Sequence, residues 1–499
     1  MKKRWMSILW ITGIIVLVNF LSKELFFRID ATENKEFTLS KASKDILRNL
    51  KDPITVTSYF TQGLPPQYNK TLTDFNDLLK EYNTRSKGMV NFEFVNPNES
   101  KEKEQEAAQN GIQPLLINVR EKDEVSQKKA FMGAVIKKGD QQEVLPFITP
   151  GGPMEYDLTT AIKKLTIVNK PTIGLIQGHG EAGTTDIPQV MAGLNILYNV
   201  APIDLTTTDL APTTYKSVIM LNPKDSLQAT DFSKLDKYLN EGGQLILAFN
   251  AVEGDFQTSQ GRRKDLGIVN WLASKGLNVA PDFVLDAKCG AVTVQQNQGF
   301  FKFNSQVKFP YLPLVQKFGD HPIVKGLEQI IFQFPSPITY AGNTNLTFTP
   351  LVQTSGQSET QHPPVYFNIQ KKWTTNEFTK GPQTIGGILE GDFGGNNKPA
   401  KLVLFTDGNF PIGRGQQRAD GDNFSLLVNS VDYLSDDTGL IDLRTKGIAS
   451  RPIETLEEDT VQMLKWGNFT LPLFLVILLG IYKYNRNRVK RLKRMQTWK

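Results

Sequence analysis

One cysteine and three histidines are scarce equipment for thiol or metal chemistry in a chain of 499 residues. A single thiol, Cys289, permits no intrachain disulfide, and no Cys-x-x-Cys redox pair exists. His179, His321 and His362 share no ligand spacing, so no metal site is read from them and no cofactor is expected. Heptads, short repeats and long low-complexity tracts are also missing. Acid is lacking at both ends: residues 2–4 and 483–499 hold three and eight cations with no Asp or Glu. Removing these eleven charges from the formal +6 leaves −5 for residues 5–482, so the basic balance belongs to the ends and speaks against a nucleic-acid surface on the body.

Next to each basic cluster stands an apolar run. Trp5–Leu21 and Trp466–Tyr482 each hold 17 residues without a charge, near the lower limit of the ~17–25 needed to span hydrocarbon. Small residues suited to a signal-peptide cleavage site do not follow the first run; Phe20-Leu21-Ser22-Lys23-Glu24 does. Lys and Arg favour the cytoplasmic side. The expectation is a protein of a bacterial inner membrane with both termini cytoplasmic and the main body periplasmic or otherwise extracytoplasmic.

Between the runs, hydrophobic periodicity divides the body in two. Ser40 has the chemistry of a helix N-cap. A strand near 54–60, a helix around Leu72–Tyr82, a strand near 90–94, a helix over 102–110, strands at 115–119, 131–138 and 143–147, and a helix over 156–165 suggest a small α/β, thioredoxin-like domain. A second unit begins at Lys170-Pro171. Its buried strands at 172–176, 217–221, 244–249 and 401–405 alternate with helical patterns, which predicts a flavodoxin-like parallel-sheet domain. Residues 283–375, rich in β-formers, Gln, Asn and Pro, are read as a β-rich insertion. The divisions are therefore 1–21 anchor, 22–168 small domain, 169–450 large domain, 451–465 stalk, 466–482 second span and 483–499 basic tail.

Candidate sites are few. The loop Gly178-His179-Gly180-Glu181-Ala182-Gly183-Thr184 follows a strand and precedes a helix, where open α/β sheets bind ligands. Its glycine spacing approaches a P-loop, but Thr184 stands where the phosphate-binding Lys should be. Gly178, His179, Gly180 and Glu181 remain as a possible small-ligand or peptide contact. Asp407, after the 401–405 strand, could face the same crevice, although Asp-Gly also makes a tight turn. No Ser or Cys follows the 244–249 strand; Asn250-Ala251-Val252 does, so the nucleophile elbow of parallel-sheet hydrolases is missing and no catalytic residue is assigned.

Several stretches then combine. Arg28-Ile29-Asp30-Ala31-Thr32 with Phe37-Thr38-Leu39-Ser40, then Gly174-Leu175-Ile176-Gln177-Gly178-His179-Gly180-Glu181, then Asn429-Ser430-Val431-Asp432-Tyr433-Leu434, Leu440-Ile441-Asp442-Leu443-Arg444 and Arg451-Pro452, occur in the order found in GldG-type auxiliary subunits of ABC transporters associated with gliding motility. The chain resembles that family nearly end to end, including both apolar runs. The resemblance implies an accessory protein whose permease and ATPase are separate chains. It also implies a large domain related to glutamine-amidotransferase-like folds without the catalytic cysteine. The expected role is non-catalytic: coupling, or recognition of substrate outside the cytoplasm. Two other readings stay open, a membrane-tethered protein binding a glycan, peptide or lipid of the envelope, and an envelope hydrolase using Cys289.

Overall fold

A computed structural model describes residues 38–121, 124–167, 169–298, 301–342, 345–413, 421–435 and 458–496. The Trp5–Leu21 run and the stretches 28–32, 440–444 and 451–452 lie outside them. The described residues up to 435 form one compact unit, and the C-terminal helix belongs to a second.

The first unit opens with α1 (Lys41–Arg48). Its N-cap is Ser40, whose Oγ accepts the backbone N–H of Ser43 at 3.1 Å. The cap is held from outside as well: Glu155 Oε1 accepts the backbone N–H of Ser40 and the hydroxyl of Ser43, both at 2.7 Å. The chain continues through β1 (Ile54–Phe60), α2 (Pro66–Arg85), β2 (Val90–Val95) and α3 (Lys101–Gln109). The ribbon β3 (Leu115–Glu121) with β4 (Glu124–Ala130) follows, then β5 (Met132–Lys138), β6 (Gln141–Leu145) and α4 (Met154–Thr166). Strand order in the small sheet is β2-β1-β5-β6. β1 runs parallel to β2 and antiparallel to β5, and β5 pairs antiparallel with β6. Among the described residues the cis peptide bond is Pro363–Pro364; Pro114, before β3, is trans.

The large sheet starts with β7 (Thr172–Gln177), followed by α5 (Pro188–Leu194), β8 (Asn199–Asp204), β9 (Ser217–Leu221), α6 (Ala229–Asn240) and β10 (Gln244–Ala248). After β10 come β11 (Val252–Asp255), β12 (Gln260–Arg263), α7 (Ile268–Ala273), β13 (Leu277–Val279), β14 (Phe283–Asp286), β15 (Cys289–Gln298), β16 (Phe301–Val315), β17 (Ile330–Ile331) and β18 (Ile338–Tyr340). Next are β19 (Leu346–Gln353), β20 (Ser358–Gln361), β21 (Val365–Tyr366), β22 (Thr384–Asp392), β23 (Pro399–Phe405) and α8 (Gly421–Ser435). The seven-stranded order is β19-β22-β23-β10-β9-β7-β8. From β8 to β23 neighbouring strands are parallel; β22 and β19 extend the sheet antiparallel. Taken in chain order, the parallel strands therefore lie 2-1-3-4-5 across the sheet.

Both faces of this sheet are covered, which explains strands that read as continuous apolar runs. Successive side chains alternate faces. Ile219, Leu221, Ile246, Ala248, Val403 and Phe405 pack under α5 and α8 in one core, while Val218, Met220, Leu245, Leu247, Leu402 and Leu404 pack with α6 and α7 in another. The two α/β halves share a seam at α1. Ala42 belongs to the core of the large sheet, Leu47 to that of the small sheet, and Ile46 packs against both.

The β-rich stretch differs from expectation in extent. β11 and β12 already lie outside the large sheet, whereas β19, within 283–375, is its terminal strand. The aromatic core of this β-rich layer is built on Phe283, Phe309, Tyr311, Phe334 and Phe367. Asp422 and Asn423, in the first turn of α8, bind the layer: Asp422 accepts the N–H groups of Glu328 and Gln329, and Asn423 that of Ile331.

The second unit is the helix α9 (Glu458–Gln496), 39 residues containing Pro472. It begins within the segment expected as a stalk. Its Met463–Val489 portion is long and apolar enough to cross a membrane. Side chains such as Trp466, Phe469, Phe474, Leu479 and Ile481 are exposed, so this run is not a buried core helix.

Candidate functional site

The carboxyl ends of the parallel strands present two polar clusters. The first follows β7, beside the point where strand order reverses and open α/β sheets leave a crevice. Gly178 and Gly180 adopt φ of 121° and 73°, conformations open to glycine at little cost. They turn His179 and Glu181 inward, leaving 5% and 8% of each exposed. His179 Nε2 lies 3.1 Å from Asp231 Oδ2, and Nδ1 lies 3.3 Å from Glu181 Oε1. The second approach is near enough for charge attraction but misaligned for a hydrogen bond. Glu181 Oε2 accepts the backbone N–H of His179 at 2.7 Å. Across the reversal point, His179 O accepts the N–H groups of Lys224 and Asp225, and Ala182 N–H donates to Leu221 O. The loops after β7 and β9 are thus bound to each other. Beside them Lys264 Nζ donates to Pro223 O at 2.6 Å. Burial, reinforced by the charge of Lys224, lowers its ammonium to about 8.

The second cluster joins the ends of β9, β10 and β23. Asp407 is fully buried and accepts the backbone N–H groups of Gln333 and Asn409, each at 2.7 Å. Burial pushes its carboxyl up to about 6 against the pull of these hydrogen bonds. Asn250 Oδ1 accepts the N–H of Gly408, while its amide donates to the carbonyls of Gln333 and Phe334. Asn222 donates to Asn409 Oδ1 at 2.7 Å. Thr406 closes the set by donating to Ser336 O and accepting the N–H of Ser336. Residues Gln333–Ser336 of the β-rich layer therefore lie across the sheet edge.

The structure unites Gly178, His179, Gly180 and Glu181 in one cluster but puts Asp407 in the other. β23 is three strand positions from β7, a separation of roughly 14 Å at ~4.8 Å per strand. Asp231, Asn222, Asn250 and Asn409 were not foreseen. Three of the four share a simple signal: each is a polar residue one to four positions beyond the end of a parallel strand. Cys289 is half-buried at the start of β15, and burial raises its thiol above the usual range, the reverse of what a nucleophile needs. Among the described residues no group of three or more Cys, His, Asp or Glu side chains could hold a metal ion.

Open clefts occur elsewhere. One of about 600 Å³ lies in the β-rich layer between Phe256, Ser259 and the strand segment Ala291–Val294, with Gln333 at its base. A smaller one of about 320 Å³ lies at the ends of β1 and β2 among Phe60, Leu72, Phe94 and Asn96.

Comparison with known proteins bears on the whole chain. An uncharacterized protein of Borreliella burgdorferi is 20% identical over 487 residues, covering 93% of this chain and 94% of that protein. The solved mmIFT52 N-terminal domain aligns with 53% of this chain and 97% of its own at 15% identity and a TM-score of 0.35. A ThuA-like protein from Parabacteroides merdae aligns with 58% and 94% at 13% identity and a TM-score of 0.26. Sheet order, rather than these slight likenesses, defines the fold. A domain of unknown function matches residues 33–137, and the family described as an ABC-type uncharacterized transport system matches residues 170–435. The match spans more than half of the sequence: the chain belongs to that family and is an auxiliary subunit of an ABC transport system.

Proposed function

We propose that this chain is a non-catalytic, membrane-anchored subunit that holds its α/β body outside the cytoplasm, over a permease whose ATPase is a separate protein. The observation that carries the reading is α9. Its apolar, exposed stretch runs without a break into Lys483, Arg486, Arg488, Lys490, Arg491, Lys493 and Arg494. At 1.5 Å per residue the helix is about 58 Å long, against roughly 30 Å of hydrocarbon, so its basic end extends well past the bilayer. Lys and Arg favour the cytoplasmic side. The apolar run Trp5–Leu21, behind Lys2, Lys3 and Arg4, supplies the matching anchor.

The 2-1-3-4-5 order supports a flavodoxin-like, amidotransferase-like reading of residues 169–450, and the β2-β1-β5-β6 sheet supports a thioredoxin-like reading of 22–168. The Gly178–Glu181 loop we read as a clasp between β7 and β9, since its backbone is hydrogen-bonded to the loop after β9 and His179 Nε2 meets Asp231. The raised thiol of Cys289 and the Asn250-Ala251 turn after β10 favour a non-enzymatic role. The subunit would recognise substrate or pass permease motion to the outer body; the resemblance to gliding-associated subunits makes motility one candidate process.

Affinity purification from detergent-solubilised membranes, with identification of retained chains, tests the partnership. Recovery of a permease and an ATPase is expected, and recovery of neither would remove the proposal. Protease added to spheroplasts should degrade the body. If digestion occurs only in inside-out vesicles, the orientation is reversed.

A further inference from the structure

The cleft of the β-rich layer has a wall of a particular kind. β15 pairs with β16 on one side and is the edge of its sheet on the other. Among the described residues no other element hydrogen-bonds to the backbone of Ala291–Val294, the segment that lines the cleft. In an antiparallel ladder alternate residues turn both backbone groups away from the partner strand. Two of these four residues therefore turn an N–H and a C=O away from β16, along the segment that lines the cleft. Soluble proteins guard such edges with charge, proline or a covering element. Gly290-Ala291-Val292-Thr293-Val294-Gln295-Gln296-Asn297-Gln298 contains neither charge nor proline.

The facing wall is aromatic. Phe256 is 48% exposed and Ile369 39%, while Phe309 and Phe367 close the interior. Beneath them Phe334 holds φ at 54°, stacked on Phe367 with ring centres 5.3 Å apart, and Ser259 on the rim holds φ at 56°. A non-glycine residue in this region carries strain, which native structures retain mainly where neighbours enforce it and function uses it. Among the described residues no ionisable side chain lines the cleft, which disfavours nucleotides, phosphates and acidic headgroups.

We propose that this cleft binds an extended polypeptide segment by strand addition to β15, with uncharged apolar side chains seated against Phe256 and Ile369. Strand addition draws affinity from the backbone and specificity from pockets for alternate side chains, the two elements present here. A sugar would find aromatic faces but, among the described residues, only Ser259, Thr293 and Gln333 as polar side chains for its hydroxyls. The proposal deepens the recognition role above by naming a ligand class.

The test uses the full chain in detergent. A random heptapeptide library displayed on phage is selected against it, and enriched peptides are synthesised. The expected result is a shared pattern of apolar residues at alternate positions. Binding should weaken by about tenfold on Phe256→Ala, the loss of an aromatic anchor, and similarly on Thr293→Lys, with thermal unfolding unchanged. Methylating alternate peptide amides should abolish binding in one register and spare it in the other. Failure to enrich any peptide, or binding indifferent to methylation, would overturn the proposal. So would neutral oligosaccharides binding in a Phe256-dependent way without peptide binding, or self-association lost on Thr293→Lys, which would assign the edge to a second copy. Retention of permease and ATPase is read separately, so either idea can fail alone.

Discussion

Oδ2 of Asp231 stands 3.1 Å from the Nε2 of His179 and also accepts the backbone N–H of Gln228 at 2.8 Å. One carboxylate thus caps α6 and anchors the loop after β7. Replacing His179 by Ala leaves two buried carboxylates, Asp231 and Glu181, without their shared partner. A loss of about 1–3 kcal/mol is expected. Asp231→Ala should cost as much, and the double variant less than the sum, since the residues are in contact. Urea unfolding of the purified protein measures all three; unchanged midpoints would show that the cluster has no structural role.

Asp407 predicts the sign of a pH dependence. Its carboxyl titrates near 6 in the folded protein, whereas an unfolded aspartate titrates near 3.9. Between roughly pH 4 and 6 the folded state binds the extra proton, so this group's contribution is fully present below that window and lost as pH rises through it, by ~3 kcal/mol. Asp157, raised to about 6 by burial, acts in the same direction. Asp407→Asn should lower stability overall, because an amide hydrogen would face a backbone N–H, yet flatten the decline between pH 4 and 6. The readout is the slope of unfolding free energy against pH; equal slopes in both proteins would contradict the assignment.

The cap of α1 gives a third expectation. Ser40→Ala removes the acceptor for Ser43 N–H and should cost about 1 kcal/mol. Glu155→Ala strands the backbone N–H of Ser40 and leaves the hydroxyl of Ser43 only its Thr159 and Ser40 partners, so a larger loss, about 2–3 kcal/mol, is expected. Reversal of that order in denaturant titrations would mean the contact across the seam is weak.

Cys289 should alkylate slowly. With its thiol raised by burial, iodoacetamide at pH 7 is expected to react several-fold more slowly than with free cysteine, accelerating with pH and on denaturation. Faster reaction in the folded protein would revive the hydrolase reading.

Most of the large sheet was legible because its parallel strands are buried on both sides. Ser217–Leu221 and Gln244–Ala248 are short apolar runs bounded by turns. The strands that escaped carry contrary signals. β8 contains Pro202 and β19 contains Pro350, which a strand tolerates at a sheet edge, and both are edge strands. β22 carries Gly386-Gly387, which reads as a loop; a Cβ there would meet Phe405 at 2.6 Å and Phe348 at 2.4 Å, so these glycines make room for rings. β4 is largely polar. The site was half legible: strand ends located both clusters, but the crossing of Gln333–Ser336 over the edge depends on contacts some 70 residues apart, which no local pattern encodes.

The seam at α1 has a mechanical corollary. An eight-residue helix contributes Ala42 to one core and Leu47 to the other, with Ile46 touching both. Apolar interiors resist shear because they are close-packed. Torque delivered to the N-terminal half would reach the large sheet with no compliant joint at that helix, so the two halves should rotate together, and severing them there would leave a raw hydrophobic scar on each.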